Sequence, residues 1–130
     1  MPDACPCGQR DVKGRPVAFA GCCEPYLTGA AQAPDAQALM RSRYCAFVRL
    51  DIPYLLATWH ASSRPQAWDL DASARWLGLE VRAHRLTADD RAEVEFVARY
   101  RVGGRAVRQH ELSRFVREGM RWYYVDGDVR

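Results

Sequence analysis

The stretch Ala92-Glu93-Val94-Glu95-Phe96-Val97-Ala98-Arg99-Tyr100-Arg101-Val102-Gly103-Gly104 decides the fold. Ala92, Val94, Phe96, Ala98, Tyr100 and Val102 alternate with Glu93, Glu95, Arg99 and Arg101, and only Val97 breaks the pattern. A period of two predicts a β-strand with one face buried and one in water. Gly103-Gly104 predicts a two-residue hairpin, because both central positions of such a turn need positive φ. The chain is then expected to return as a strand over 105–117. Upstream, Leu79, Val81 and Ala83 alternate with Glu80, Arg82 and His84, and Asp89-Asp90 supplies the turn. Downstream, Glu118-Gly119 predicts another tight turn, followed by a last strand over Met120–Val125.

Before the sheet the period is helical. Asp35 is a plausible N-cap after Pro34, and Met40, Tyr44, Phe47 and Val48 share one face. Asp51, with Pro53 in the first turn, opens a second helix that buries Tyr54, Leu55 and Trp59. A short helical segment is expected over Asp69–Trp76, ending near Gly78. Helices followed by an antiparallel meander predict an α+β domain, with helices packed on one sheet face. Residues 1–33, rich in Gly, Pro and Cys without periodicity, are expected to form a small knuckle and linker, and 34–130 the α+β domain.

Turn lengths fix which residues face one another. A two-residue turn at Gly103-Gly104 sets Tyr100 opposite Val107, Ala98 opposite Gln109, Phe96 opposite Glu111 and Val94 opposite Ser113. A two-residue turn at Glu118-Gly119 sets Phe115 opposite Trp122 and Ser113 opposite Tyr124. On the outer face Glu93 meets Arg114, an expected cross-strand ion pair. The helix-facing side thus carries Gln109, Glu111 and Ser113, ringed by Phe96, Trp122 and Tyr124. Either the sheet curves and this polar strip lines a ligand pocket, or Glu111 pairs with Arg41 or Arg43 and pins helix to sheet.

The chain has 130 residues, a net charge of +3 and 27% charged residues, which suits one soluble domain. No apolar run approaches the roughly 18 residues of a membrane span, and the N-terminus lacks the basic and apolar regions of a secretory signal. The expected compartment is the cytoplasm. Of nineteen basic residues only Lys13 is lysine. The arginines are scattered among acids, which argues against the basic stripe of a nucleic-acid binder.

Four of the five cysteines, Cys5, Cys7, Cys22 and Cys23, fall within the first 23 residues. Clustered thiols in a reducing compartment argue for metal over disulfide, and soft thiolates favour Zn²⁺. A redox thiol pair and unliganded thiols are the competing readings. Four protein ligands leave no open position, so such a zinc site is structural. Cys45, among apolar residues of the first helix, reads as core.

Cys5-Pro6-Cys7-Gly8 with Gly21-Cys22-Cys23 resembles the SEC-C motif, the zinc-binding module also found at the C-terminus of the SecA translocation ATPase. Leu39-Met40-Arg41-Ser42-Arg43-Tyr44, Thr58-Trp59-His60, Trp76-Leu77-Gly78-Leu79 and Trp122-Tyr123-Tyr124-Val125-Asp126-Gly127 resemble the YchJ-like family, and the similarity covers nearly the whole chain. The resemblance implies a nuclear transport factor 2-like cone, helices packed on a curved antiparallel sheet, behind an N-terminal zinc knuckle. It carries the metal-ligand role to Cys5, Cys7, Cys22 and Cys23. The sequence departs from the motif at Gln9-Arg10-Asp11, where the usual Ser-Gly-Lys-Lys run is missing.

Two functions follow as expectations. The first is a zinc-knuckle adaptor for a protein or ribosome-associated partner, suggested by the SecA-like knuckle and by Arg10, Lys13 and Arg15 in its loop. The second is a small-molecule or enzymatic pocket in the cone, drawn from Arg43, Tyr44, Trp59, His60, Phe96, Gln109, Glu111, Ser113, Trp122 and Tyr124. His60 is the sharpest candidate for a general base, weighed against a capping or core histidine. Weak nucleic-acid binding through arginine is a third and lesser reading.

Overall fold

A computed structural model describes residues 3–130. Met1 and Pro2, the start of the expected knuckle, lie outside the described residues. A 3-10 turn at Phe19–Gly21 and helix α1 (Glu24–Thr28) precede α2 (Ala36–Arg49) and α3 (Ile52–Ala57). Strands β1 (Arg75–Ala88), β2 (Arg91–Val102), β3 (Arg105–Glu118) and β4 (Arg121–Val129) follow. They form one antiparallel meander in chain order, so the protein is α+β. Among the described residues no helix is long and apolar enough to cross a membrane.

Both main helices start where a side chain can satisfy an orphan backbone donor. Asp35 accepts from Ala38 N at 2.7 Å, and Asp51 accepts from Tyr54 N at 3.2 Å. Helix α2 packs on the face bearing Ala92, Val94, Phe96 and Ala98, all buried. Three register shifts in β1 and one between Arg114 and Phe115 in β3 interrupt the ladders. Such irregularities bend and twist strands, which makes this face concave.

The β2–β3 register is the one the Gly-Gly turn demands: Tyr100 faces Val107, Phe96 faces Glu111 and Val94 faces Ser113. The β3–β4 register differs. Glu118 pairs with Arg121, so the turn residues are Gly119 and Met120, at φ 56° and 67°. Phe115 therefore faces Tyr124, and Trp122 lies opposite Arg117. Beyond the bulge Ser113 faces Gly127 rather than Tyr124. Glu93 does lie opposite Arg114, yet the expected ion pair is absent. Arg85 takes Glu93 at 2.9 Å, and Arg114 turns across the bulge to Asp126 at 2.6 Å and Asp128 at 2.9 Å.

The helix expected over Asp69–Trp76 does not form; β1 already begins at Arg75. Asp71 Oδ1 accepts from Ser73 N and Ser73 Oγ, a local alternative to helical bonding. Trp68 packs edge-on against Phe47 and Trp59, so tertiary contacts hold the segment across the helices. The second helix stops at Ala57, before Trp59. Residues 4–18, read as irregular, include the bridges Ala4–Ala18 and Arg10–Pro16.

Met120 holds a left-handed conformation that costs an L-residue roughly 1–2 kcal/mol, and it is 86% exposed, so little packing is lost with its side chain. Met120→Gly is expected to stabilise the fold by up to about 1 kcal/mol, raising Tm by a few degrees in thermal unfolding. A lowered Tm would show that the turn carries no such strain.

Candidate functional site

Two constellations meet on opposite sides of α2. The first is the cysteine cluster. The sulfurs of Cys5, Cys7, Cys22 and Cys23 all lie within 4.8 Å of one another and can hold a metal ion. Cys5, Cys7 and Cys23 are buried, and Cys22 is half-buried. Backbone bonds close the loop that carries them: Cys5 N donates to Val17 O at 2.8 Å and Gly8 N to Cys5 O at 3.1 Å.

Packed this closely without a cation, the thiols cannot all ionise. Hydrogen bonding from Cys23, then from Cys45, pulls Cys5 down to about 6. Burial, followed by the neighbouring Cys7 and Cys5, pushes Cys22 up to about 12. A divalent metal removes this conflict by neutralising several thiolates at once.

Helix α2 supplies a second layer. Arg41 Nη1 donates to Cys7 O at 2.9 Å and approaches Cys7 Sγ at 3.8 Å. One turn later Cys45, fully buried, places its sulfur 3.5 Å from that of Cys5. Residues four apart share a helix face, so both reach the knuckle. Cys45 is thus a core residue that also touches the cluster. Cys5, Cys7 and Cys23 join the same apolar core as Tyr44, Phe96 and Phe115.

The second constellation is a cavity of about 410 Å³ between α2, the 68–76 segment and the concave sheet face. Of the residues proposed from sequence, Arg43, Tyr44, Trp59, Phe96, Gln109, Glu111, Ser113 and Tyr124 line it. His60 and Trp122 do not. The segment 58–60 runs beside β4: Tyr124 N donates to Thr58 O at 2.8 Å and His60 N to Tyr124 O at 2.7 Å. Side chains alternate along such a segment, so Trp59 points inward and His60 outward. Outside the cavity, the His60 ring meets Ser62 Oγ at 2.7 Å and Glu118 at 2.9 Å. Trp122 lies opposite Arg117 rather than Phe115, so its place along β3 shifts by two residues, roughly 7 Å. There the guanidinium of Arg117 covers its ring at 5.7 Å.

Glu111 does not pair with Arg41 or Arg43. Arg41 serves the knuckle, and Arg43 Nη1 donates to Leu55 O at 2.7 Å and Thr58 Oγ1 at 2.6 Å. The Arg43 guanidinium lies 4.7 Å from the Tyr124 ring centre and 5.4 Å from that of Trp59. Burial pulls its pKa down to about 10. Glu111 instead accepts from Gln109 Nε2 at 3.1 Å and from the Tyr124 hydroxyl at 3.4 Å. Burial, and then the nearby Glu111 charge, push Tyr124 up to about 12.

Sequence reasoning missed Phe47, Trp68, Asp71, Trp76 and Tyr100 as lining residues. Phe47 lies one turn beyond Arg43, a spacing that could have disclosed it. Asp71 sits in the segment misread as helix and Trp68 just before it, and no local signal turns them inward.

Knuckle and cone together define a cysteine-cluster protein with a nuclear transport factor 2-like domain. Residues 35–127 match the family described as YchJ, middle NTF2-like domain. The chain is 58% identical over 134 residues to a UPF0225 protein of Polaromonas naphthalenivorans, covering 98% of each. A UPF0225 protein of another Polaromonas strain is 61% identical over 129 residues, covering 97% of this chain and 93% of the relative. This chain belongs to the YchJ-like UPF0225 family. The solution structure of a SEC-C motif containing protein from Rhodopseudomonas palustris superposes with a TM-score of 0.83 at 32% identity, covering 98% of this chain and 99% of that one. The crystal structure of a SEC-C motif containing protein from Psychrobacter arcticus gives 0.80 at 31%, covering 98% and 83%.

Cys7→Ser is expected to lose bound metal, because it removes a fully buried sulfur of the four-member cluster. Cys45→Ala is expected to keep one metal per chain. Elemental analysis of protein purified without added metal measures both, and equal loss in the two variants would make Cys45 a ligand.

Proposed function

We propose that this protein is a small-molecule-binding cone whose N-terminal knuckle is held by a structural Zn²⁺. The cavity carries the binding reading: about 410 Å³ lies within the size range of ligand sites, and its walls are mainly aromatic and aliphatic with a few converging polar groups. The zinc reading rests on sulfur spacing. Tetrahedral Zn–S bonds of about 2.3 Å put ligand sulfurs about 3.8 Å apart. Cys7 and Cys22 are 3.7 Å apart, and Cys22 and Cys23 are 3.9 Å apart. Bound zinc would supply charge neutralisation and cross-linking there, with four protein ligands and no open position for chemistry. A reducing compartment such as the cytoplasm keeps these thiols available as ligands. In this division of labour residues 1–33 hold the metal and 34–130 bind the ligand.

A second reading, the adaptor, is favoured by the loop between the cysteine pairs. Asp11 Oδ1 accepts from Lys13 N and Arg15 N, both at 2.9 Å, which fixes the loop. Val12 is fully exposed at its tip between the exposed cations Arg10, Lys13 and Arg15. An apolar residue set among cations suits an acidic protein partner.

A fragment screen by ligand-observed NMR on the zinc-loaded protein is expected to give binders that Ala98→Leu displaces, because Ala98 lines the cavity. An absence of binders, or binders indifferent to Ala98→Leu, would overturn the cavity reading. For the adaptor, Val12→Asp is expected to remove a crosslinked partner that wild type retains, and an unchanged crosslinking profile would count against it.

A further inference from the structure

We propose that the cavity takes an organic cation with an aromatic body, an arylalkylamine in chemical class, with its ammonium group on Glu111. The proposal rests on the cavity reading above and goes on to name the ligand's chemistry.

Three groups in the lining carry charge: Arg43, Asp71 and Glu111. The cation among them is already engaged. Arg43 Nη1 is held by Leu55 O and Thr58 Oγ1, while the rings of Tyr124 and Trp59 cover the guanidinium. Among the described residues no lysine, arginine or histidine forms an ion pair with Glu111. Its two side-chain donors are neutral: Gln109 at 3.1 Å and the more distant Tyr124 hydroxyl at 3.4 Å. A carboxylate can accept about four hydrogen bonds, so Glu111 keeps capacity facing the cavity.

Glu111 is also held in place. Its carboxylate rests against Gly127, where an added Cβ would collide with Oε1 and sit 3.0 Å from Leu112 O. The absence of a side chain at 127 is what lets Glu111 occupy this position. Gly127 lies opposite Ser113 because Val125 is an extra, unpaired residue that bulges β4 there.

The walls suit the rest of such a ligand. Trp59, Trp68, Phe47, Trp76 and Tyr100 form a continuous chain of ring contacts, with centroids 4.7–5.5 Å apart. Aromatic faces are negative, so they attract a cation and stack on a second ring. An anionic ligand would meet two carboxylates, Asp71 and Glu111, and a guanidinium whose Nη1 is already held by Leu55 O and Thr58 Oγ1. An amine meets a fixed carboxylate whose nearest lining cation, Arg43, acts on it through space and makes no direct ion pair with it.

The test uses the full zinc-loaded chain and three ligands of one shape: phenethylamine, 2-phenylethanol and 3-phenylpropionate. Tryptophan fluorescence reads binding, since Trp59, Trp68 and Trp76 line the cavity. The amine is expected to bind about tenfold or more tightly than the alcohol, the difference a charged hydrogen bond makes. The carboxylate is expected to bind most weakly. Glu111→Gln is expected to erase the preference for the amine. Gly127→Ala, which displaces the carboxylate and leaves the charge in place, is expected to weaken amine binding and spare the alcohol. Should Glu111→Gln fail to fold, judged by circular dichroism, Gly127→Ala carries the test. A preference for the carboxylate, or an amine preference that survives these substitutions, would overturn the cation assignment. If none of the three binds while the fragment screen yields other ligands, the cation class is wrong and the cavity reading stands. Silence in both experiments overturns both.

Discussion

Helix α2 buries eight of its fourteen side chains, because it is enclosed by the sheet on one side and by the cysteine loop on the other. A surface helix hides one stripe; α2 must hide nearly its whole girth, polar residues included. Ser42 donates to Leu39 O at 2.8 Å and meets the Tyr54 hydroxyl at 2.6 Å, while Arg43 spends its donors on the end of α3. A hydrogen bond to a charged group contributes about 1.5–3 kcal/mol, so these bonds help to hold α3 and Thr58 in place. From that placement come Trp59 on the cavity wall and His60 outside it.

The same helix couples the two sites. Arg41 and Cys45 look toward the cysteine cluster, while Arg43, Tyr44 and Phe47 look toward the cavity. Tyr44 stands edge-on to Trp76 at 5.6 Å, directly inside the layer that receives Cys45. The cysteine loop is therefore part of the core and no mere appendage, since Cys5, Cys7 and Cys23 are packed in the cluster that contains Tyr44 and Phe96.

Much of this was legible in residue order. Alternation from Ala92 to Val102 and the Gly-Gly turn suffice for the β2–β3 pairing and for Gln109, Glu111 and Ser113 on the concave face, because a strand's period and a two-residue turn are local properties. Asp35 and Asp51 disclosed helix starts for the same reason. The Glu118-Gly119 turn failed by one residue, since Gly119 and Met120 both take positive φ and nothing about methionine announces that. That single step, with the bulge after Arg114, moved Trp122 out of the site and brought Gly127 into it. The Asp69–Trp76 segment was misread because Trp68 and Trp76 are held by rings on other elements.

Sequence alone determined the α+β class, the meander and the four clustered cysteines, all of which depend on neighbours within a few residues. Tertiary structure decided which charges meet. Arg41, Arg43 and Glu111 could each have paired by sequence; the packing of α2 between knuckle and sheet sends the hydrogen bonds of the two arginines elsewhere and leaves the carboxylate bonded to neutral donors. A side chain's partner is a long-range property. It is set by where burial forces each element to lie, and one bulged residue is enough to change it.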